Sequence, residues 1–298
     1  MYADNSTLII GHKGYIGSYL YNYLSNKGFS VVGVGERIED YNDLSSSFLS
    51  NFRNIVLLAG HSSVKMCEGD LKSPWLNNVV NFKNLLEKKP FGTNLIYGSS
   101  ASVYGNSNCE IFEEKDISLD YVNNYDLTKV SLDLYSLKEI QIGQNIIGLR
   151  FGTVNGGSKT IRKDLMINSM VYNAIQNGNI YISNKEINRP ILALSDLGRA
   201  IETIIKHYII QPGLYNLASF NSTVEEISTV VSNKTGVPVI DNGNTSNVYN
   251  FSIDTTKFKT KYQFEFKENV ESVVDDVIRC YTKKPNVVTR DKYFEYNG

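Results

Sequence analysis

Short, unbroken apolar runs alternate with longer segments of helical period through the first half of this chain. That alternation limits the fold more than any other feature. Thr7-Leu8-Ile9-Ile10 reads as a strand and Tyr15 to Lys27 as a helix. Further strands are expected at Ser30 to Val34, Asn54 to Ala59, Asn94 to Tyr97 and Asn145 to Leu149. Helices are expected from about Pro74 to Lys88 and from about Tyr125 to Glu139. A strand with one face in water alternates apolar and polar residues, whereas a run apolar throughout needs both faces covered. Intervening helices supply the covers. The pattern therefore predicts an α/β fold: an open, doubly wound parallel Rossmann sheet.

After residue 155 the pattern loosens. Helices are expected over Asp164 to Asn177, Ser195 to Tyr208 and Lys267 to Tyr281. Thr223-Val224-Glu225-Glu226 has the form of a capping box opening a helix to about Lys234. Short strands fall near Tyr181-Ile182 and Tyr215-Asn216-Leu217. The expected organisation is a doubly wound domain over 1–155, to which 186–210 returns. A smaller mixed α/β C-terminal domain takes 156–185 and 211–282, and 283–298 is a polar tail.

Composition narrows the class of function. Apolar residues make up 42 % of the 298 and charged residues 20 %, which suits a globular chain with a sizeable core. The net charge of −1 lacks the basic excess of a dedicated nucleic-acid binder. No apolar run approaches the ~20 residues of a membrane-spanning helix. Met1 to Thr7 lacks the basic and apolar regions of a signal peptide. Cys67, Cys109 and Cys280 stand far apart, which gives no disulfide framework and no zinc spacing. The three histidines are equally scattered, so no metal site is expected, and the expected location is the cytoplasm.

Gly11-His12-Lys13-Gly14-Tyr15-Ile16-Gly17 follows the first strand and opens the first helix. Glycines there let the backbone approach a pyrophosphate, and the helix N-terminus presents unpaired N–H groups to that anion. A dinucleotide site is the reading, with Gly11, Lys13, Gly14, Tyr15, Ile16 and Gly17 lining it. The acid that holds a ribose diol is expected at the end of the second strand, where Gly35 stands, followed by Glu36 and Arg37. Lys13 and Arg37 suit a 2′-phosphate, whereas Glu36 could bind the diol. The reading favours NADP over NAD.

Tyr125-Asp126-Leu127-Thr128-Lys129 places a tyrosine and a lysine four apart, on one face of a helix. A free phenol titrates near ~10, so work as a base at neutral pH requires a drop of ~3 units, about 4 kcal/mol. A nearby ammonium can supply much of that. Ser99 and Ser100 lie just past the fourth strand, where an open α/β sheet binds its ligands.

These motifs, in this order, resemble the extended short-chain dehydrogenase/reductases, a family of NAD(P)-dependent nucleotide-sugar epimerases and dehydratases. The resemblance rests on GHKGYIG at 11–17, LLAG at 57–60, SSASVYG at 99–105, YDLTK at 125–129, LRFGTVNG at 149–156 and RPILALSDL at 189–197. It implies that the first domain binds a dinucleotide and the second is the substrate domain, with Tyr125, Lys129 and Ser100 as the catalytic set. It adds Leu58, Ala59, Gly60 and Asn78 to the cofactor site. On the substrate side it points to Ser100, Thr153, Arg162, Asn168 and Arg189, with Arg189 on the nucleotide diphosphate. It further implies a homodimer through the helices near Trp75 and Tyr125.

Departures from the family pattern narrow the chemistry. The sugar 4,6-dehydratases carry an Asp-Glu pair where Ala101 and Ser102 stand, and elimination of water needs such a donor and acceptor. Decarboxylases carry a glutamate, and 3,5-epimerase/reductases a cysteine, in place of Ser102. The expected activity is epimerisation through transient oxidation of a sugar carbinol, at C4. One-way C4 reduction or oxidation is the alternative, and a non-catalytic nucleotide-sensing relative is a third reading that the intact Ser100, Tyr125 and Lys129 disfavour.

Overall fold

The computed structural model describes residues 6–35, 40–105, 110–111, 113, 123–207, 209–245 and 248–283. A parallel sheet lies at its centre. Strand β1 (Thr7–Ile10) pairs with β2 (Val31–Val34) on one side and β3 (Asn54–Leu57) on the other. Next to β3 lies β4 (Asn94–Ser100). Beyond β4 and the short strand β5 (Glu110–Ile111), strand β6 (Ile146–Phe151) continues the sheet. The chain thus leaves β1 towards β2, then returns to build outwards from β1's other side. A ligand crevice opens at such a reversal, here between the C-terminal ends of β1 and β3.

Period-2 geometry divides each strand between two cores. Ile9, Val56, Ile96 and Ile147 fall in one cluster, with Leu20 and Leu24 of helix α1 (Tyr15–Asn26). Leu8, Ile10, Ile55 and Leu57 fall in the other, with Leu49 of α2 (Ser46–Leu49). The expected Pro74 to Lys88 helix forms as α3 (Lys72–Trp75), a π turn over Leu76–Val80, and α4 (Asn81–Lys88). Phe82, Leu85 and Leu86 of α4 cover the second core beside Leu132 of α5 (Asn124–Gln141).

The C-terminal half adds small sheets and helices. Strand β7 (Thr153–Asn155) pairs parallel with β9 (Asn188–Ala193), and β8 (Ile180–Ile182) lies between them in sequence after α6 (Met166–Asn177). Helix α7 (Leu194–Lys206) then leads into β10 (Gly213–Leu217). Here the expectation needs correcting. Tyr215-Asn216-Leu217 does not build a separate unit; it pairs parallel with β6 as the edge of the six-stranded sheet. After it, β11 (Phe220–Thr223) pairs antiparallel with β9. Helix α8 (Val224–Thr235) carries both halves of the capping box expected at Thr223 and Glu226. Strand β12 (Val239–Asp241) pairs with β8, and β13 (Ser252–Ile253) with β5. Helices α9 (Thr256–Tyr262) and α10 (Val270–Lys283) close the described chain. Val171 of α6, Ile201 of α7, Ile227 of α8 and Val274 of α10 belong to the same continuous core as Ile9 and Val56. Among the described residues, no helix is long and apolar enough to cross a membrane.

Candidate active site

The glycine turn sits at the sheet's switch point because two side chains are absent. Gly11 has φ +90°, and a Cβ on it would lie 2.6 Å from the Ala59 nitrogen. A Cβ on Gly17 would lie 2.1 Å from the Gly11 carbonyl oxygen. Both distances are below any real contact, so β1, the turn and α1 approach this closely only with glycine. Gly14 is the N-cap of α1, and no side chain caps it. The first N–H groups of that helix are thereby left for an anion. This cradle fits a dinucleotide pyrophosphate. Gly17→Ala is expected to weaken NAD binding by about tenfold or more, measured by calorimetry.

The other turn residues divide by role. Lys13 is exposed, while Ile16 and Leu58 pack against the core. Ala59 packs against the second core, and Gly60 has φ +141°. Glu36 and Arg37 lie outside the described residues. The Tyr15 phenol donates to the Gly156 carbonyl at 2.8 Å and accepts from Asn168 Nδ2 at 3.1 Å. Burial holds that phenol far above its ordinary pKa.

Tyr125 and Lys129 share a face of α5 as their spacing requires, with Lys129 Nζ 5.7 Å from the Tyr125 ring centroid. Nζ donates to the Gly98 carbonyl of β4 at 2.8 Å. Ser100 stands at the end of β4, near enough to the Tyr125 phenol to act on its pKa. Its hydroxyl shares a hydrogen bond of 2.8 Å with Ser102, whose N–H donates to Ser100 Oγ at 3.2 Å. Burial pushes the Tyr125 phenol up to about 12; the neighbouring Ser100 hydroxyl and the Arg162 charge pull it down, and the Asp126 charge adds to the rise. Burial lowers Lys129 to about 8, opposed by the Asp133 charge. In the protein alone Tyr125 is a neutral phenol at neutral pH, while Lys129, though it gives up its proton more readily than a free lysine, still carries its charge there. A positive charge brought beside Tyr125 would favour its phenolate.

Asn78 lies in the π turn, an irregularity often found at functional sites. Its Nδ2 donates to the His61 carbonyl and to Thr128 Oγ1, both at 3.0 Å, and its Oδ1 accepts the His61 N–H at 2.8 Å. Thr128 in turn donates to the Tyr125 carbonyl at 2.7 Å. Asn78 therefore braces the loop after β3 against α5. In the protein alone its side chain makes these bonds.

The expected substrate residues do not all converge. Asn168 is fully buried: Oδ1 accepts the Gly156 N–H at 3.1 Å, and Nδ2 donates to Tyr15 and, at 3.0 Å, to the Arg162 carbonyl. It ties α6 to the glycine-turn helix. Thr153 is half-buried on β7, opposite Ile191 of β9. Arg162 forks onto Asp164 at 3.0 and 2.5 Å and reaches Ser62 Oγ at 3.2 Å. Its charge acts on the Tyr125 phenol. Arg189 donates from Nη1 to the Tyr249 carbonyl at 3.2 Å, and its buried Nε has no hydrogen-bond partner among the described residues. Burial lowers its pKa. A buried guanidinium with an unused donor suits an incoming phosphate.

Two features escaped the sequence reading. Asp126 and Tyr249 meet beside Tyr125. Beneath the site, buried Arg150 and Asp133 pair at 2.7 Å. Asp133 follows Lys129 by four residues and so shares its helical face, a signal that was present in the spacing.

Residues 7–218 match the model of the NAD dependent epimerase/dehydratase family. Protein CapI of Staphylococcus aureus is 30 % identical over 181 residues, 50 % of this chain and 54 % of that one. The chain thus spans about half the length of this curated relative. MoeE5 in complex with UDP-glucuronic acid and NAD superimposes with a TM-score of 0.82 at 19 % identity, covering 93 % of this chain and 99 % of that one. The UDP-glucuronic acid 4-epimerase of Bacillus cereus, in complex with UDP-glucuronic acid and NAD, gives 0.80 at 19 % identity, with 93 % and 99 % covered. TunA, an NAD-dependent NDP-hexosamine 5,6-dehydratase, gives 0.82 at 18 % identity, with 94 % and 99 % covered. At these identities the likeness establishes a shared fold.

Proposed function

This chain belongs to the NAD dependent epimerase/dehydratase family and is an enzyme of the extended short-chain dehydrogenase/reductase type, and from that premise we propose that it interconverts C4 epimers of a nucleotide-diphosphate sugar. The observation carrying this reading is the redox set without dehydratase equipment. Ser100 at the end of β4 and the pair Tyr125 and Lys129 on α5 lie near one another, while Ala101 and Ser102 stand where the family's dehydratases carry two carboxyl groups.

Tyr125 as phenolate takes the proton of the C4 hydroxyl. Ser100 donates a hydrogen bond to the sugar oxygen and holds it against the phenol. Lys129 lowers the phenol's pKa by its charge and binds the cofactor ribose. Arg189 and Arg162 take the diphosphate, and Thr153 lies on the sugar side. A bound nicotinamide would supply the reversible hydride acceptor for C4, and loss and return of hydride on opposite faces would invert that carbon. Gly11, Gly14 and Gly17 hold the dinucleotide, with Leu58, Ala59 and Gly60 lining the facing loop. Lys13 and Arg37 carry the preference for NADP. Leu76, Leu134, Tyr135 and Leu137 leave a large apolar face exposed on α5 and the π turn, which supports pairing of two copies there.

UDP-glucuronic acid and UDP-glucose are the first substrates to try, because they are bound by fold relatives. The test is ¹H NMR of each sugar with the purified protein, after mass spectrometry of the nucleotide it releases on denaturation. The expected result is conversion to the 4-epimer with no net absorbance gain at about 340 nm, the band of reduced nicotinamide. Stoichiometric accumulation of a reduced or oxidised cofactor would replace the epimerase with the one-way dehydrogenase. Released NAD in place of NADP would overturn the cofactor preference.

A further inference from the structure

Asn123 caps α5: its Oδ1 accepts the Asp126 N–H at 3.0 Å. Its Nδ2 donates to Asp126 Oδ2 at 3.0 Å and to the Tyr249 hydroxyl at 2.7 Å. Tyr249, in the segment between β12 and β13, donates its own hydroxyl to Asp126 Oδ2. Its backbone carbonyl accepts Arg189 Nη1. One residue from the C-terminal half therefore touches both the diphosphate arginine of the proposed site and the cap of the catalytic helix.

The position of Tyr125 makes this contact matter. It is the second residue of α5, inside the first turn, where backbone N–H groups have no intrahelical partners and the cap decides whether the turn is ordered. Asp126 is 1 % exposed, so this cap is closed within the protein rather than by water. Arg189 meanwhile has its buried Nε unused among the described residues. An anion there would fix the guanidinium, and with it the Tyr249 peptide and phenol.

We propose that Tyr249 is a positioning residue: it couples diphosphate binding at Arg189 to the order of the first turn of α5, and so to the placement of Tyr125. The inference rests on the reading of Arg189 as the diphosphate arginine. It makes the diphosphate more than an anchor, because a sugar lacking it would meet a loosely capped Tyr125. Remote binding interactions of this kind appear in kcat rather than in KM.

The test is amide hydrogen exchange across residues 124–128 of the full chain, with and without saturating UDP. Wild type, Tyr249→Phe and Arg189→Ala are compared. Tyr249→Phe keeps the carbonyl that holds Arg189 and removes only the phenolic hydroxyl. In wild type, UDP is expected to slow exchange at 124–128. In Tyr249→Phe, exchange there should be about five- to tenfold faster even without UDP, and UDP should not restore it although it binds within about twofold of wild type. Unchanged exchange in Tyr249→Phe, or equal protection by UDP in both proteins, overturns the proposal. Faster exchange spread over all of α5 and the sheet also overturns it, as a fold defect. UDP binding undiminished in Arg189→Ala overturns the diphosphate reading itself, whatever Tyr249→Phe shows.

Discussion

Tyr125→Phe is expected to lower turnover of the nucleotide sugar by a factor of about 100 to 10,000 while the protein melts as wild type does. The phenol lies near Ser100 at the end of β4. Removing its oxygen takes away the only proton acceptor the mechanism uses and leaves the ring's packing in place. KM is expected to stay close to wild type, because diphosphate and dinucleotide contacts lie elsewhere. Steady-state kinetics with circular dichroism melting checks both. An unchanged kcat would remove Tyr125 from the chemistry. Lys129→Met extends the test through pH. Lys129 Nζ lies 5.7 Å from the Tyr125 ring, and its positive charge favours the phenolate. Without it the phenol's pKa rises, so the acidic limb of kcat should move to higher pH. A limb that stayed in place would give Lys129 a binding role only.

Arg150→Met is expected to be the most damaging single change to stability among those considered. Arg150 is 1 % exposed on β6, and its Nε donates to Asp133 Oδ2 of α5 at 2.7 Å. The Tyr97 hydroxyl of β4 donates to the other Asp133 oxygen at 2.8 Å. Arg150 Nη1 reaches the Tyr104 hydroxyl at 2.7 Å, which donates to Asn216 Oδ1 of β10 at 2.9 Å. Burial opposes the guanidinium charge, but Asp133 and Tyr104 hold it protonated well above its ordinary value. Removing one partner leaves a buried carboxylate uncompensated, a loss of about 3–5 kcal/mol where a whole domain has about 5–15. A fall in Tm of roughly 10 °C follows. Arg150→Met with Asp133→Asn should melt above Arg150→Met alone, since the stranded charge is gone. If the single variant melted within a few degrees of wild type, the pair would not be holding the sheet and α5 together. The same bonds connect β4 and the turn after Ser100 to the helix carrying Tyr125 and Lys129. Stability and catalytic geometry therefore share one buried network.

How much of this was legible in the chain follows the range of each interaction. The glycine turn, the pair Tyr125 and Lys129 on one helical face, the capping box at Thr223 and the buried strands are set by residues within one or two turns of each other. Local geometry fixes such features whatever the rest of the chain does, and the sequence displayed them. The family pattern also placed Ser100 against Tyr125 across 25 residues. The side-chain bonds that Tyr15, Asn78 and Asn168 make were not legible, for a different reason. Motif position says where a residue sits but not which way a rotatable side chain turns, and packing against Gly156, Thr128 and Arg162 decided that.

Tertiary structure alone decided where the returning chain would fit. Tyr215 to Leu217 has the length and composition of any short strand, and only the vacant edge beside β6 made it part of the main sheet. Tyr249 lies 126 residues beyond Asn123 and 60 beyond Arg189, and no periodicity links them. Their contact exists because Tyr249 packs back against the start of α5. Short-range order is written residue by residue in backbone geometry. Long-range contact depends on which surfaces remain to be buried once those elements have packed.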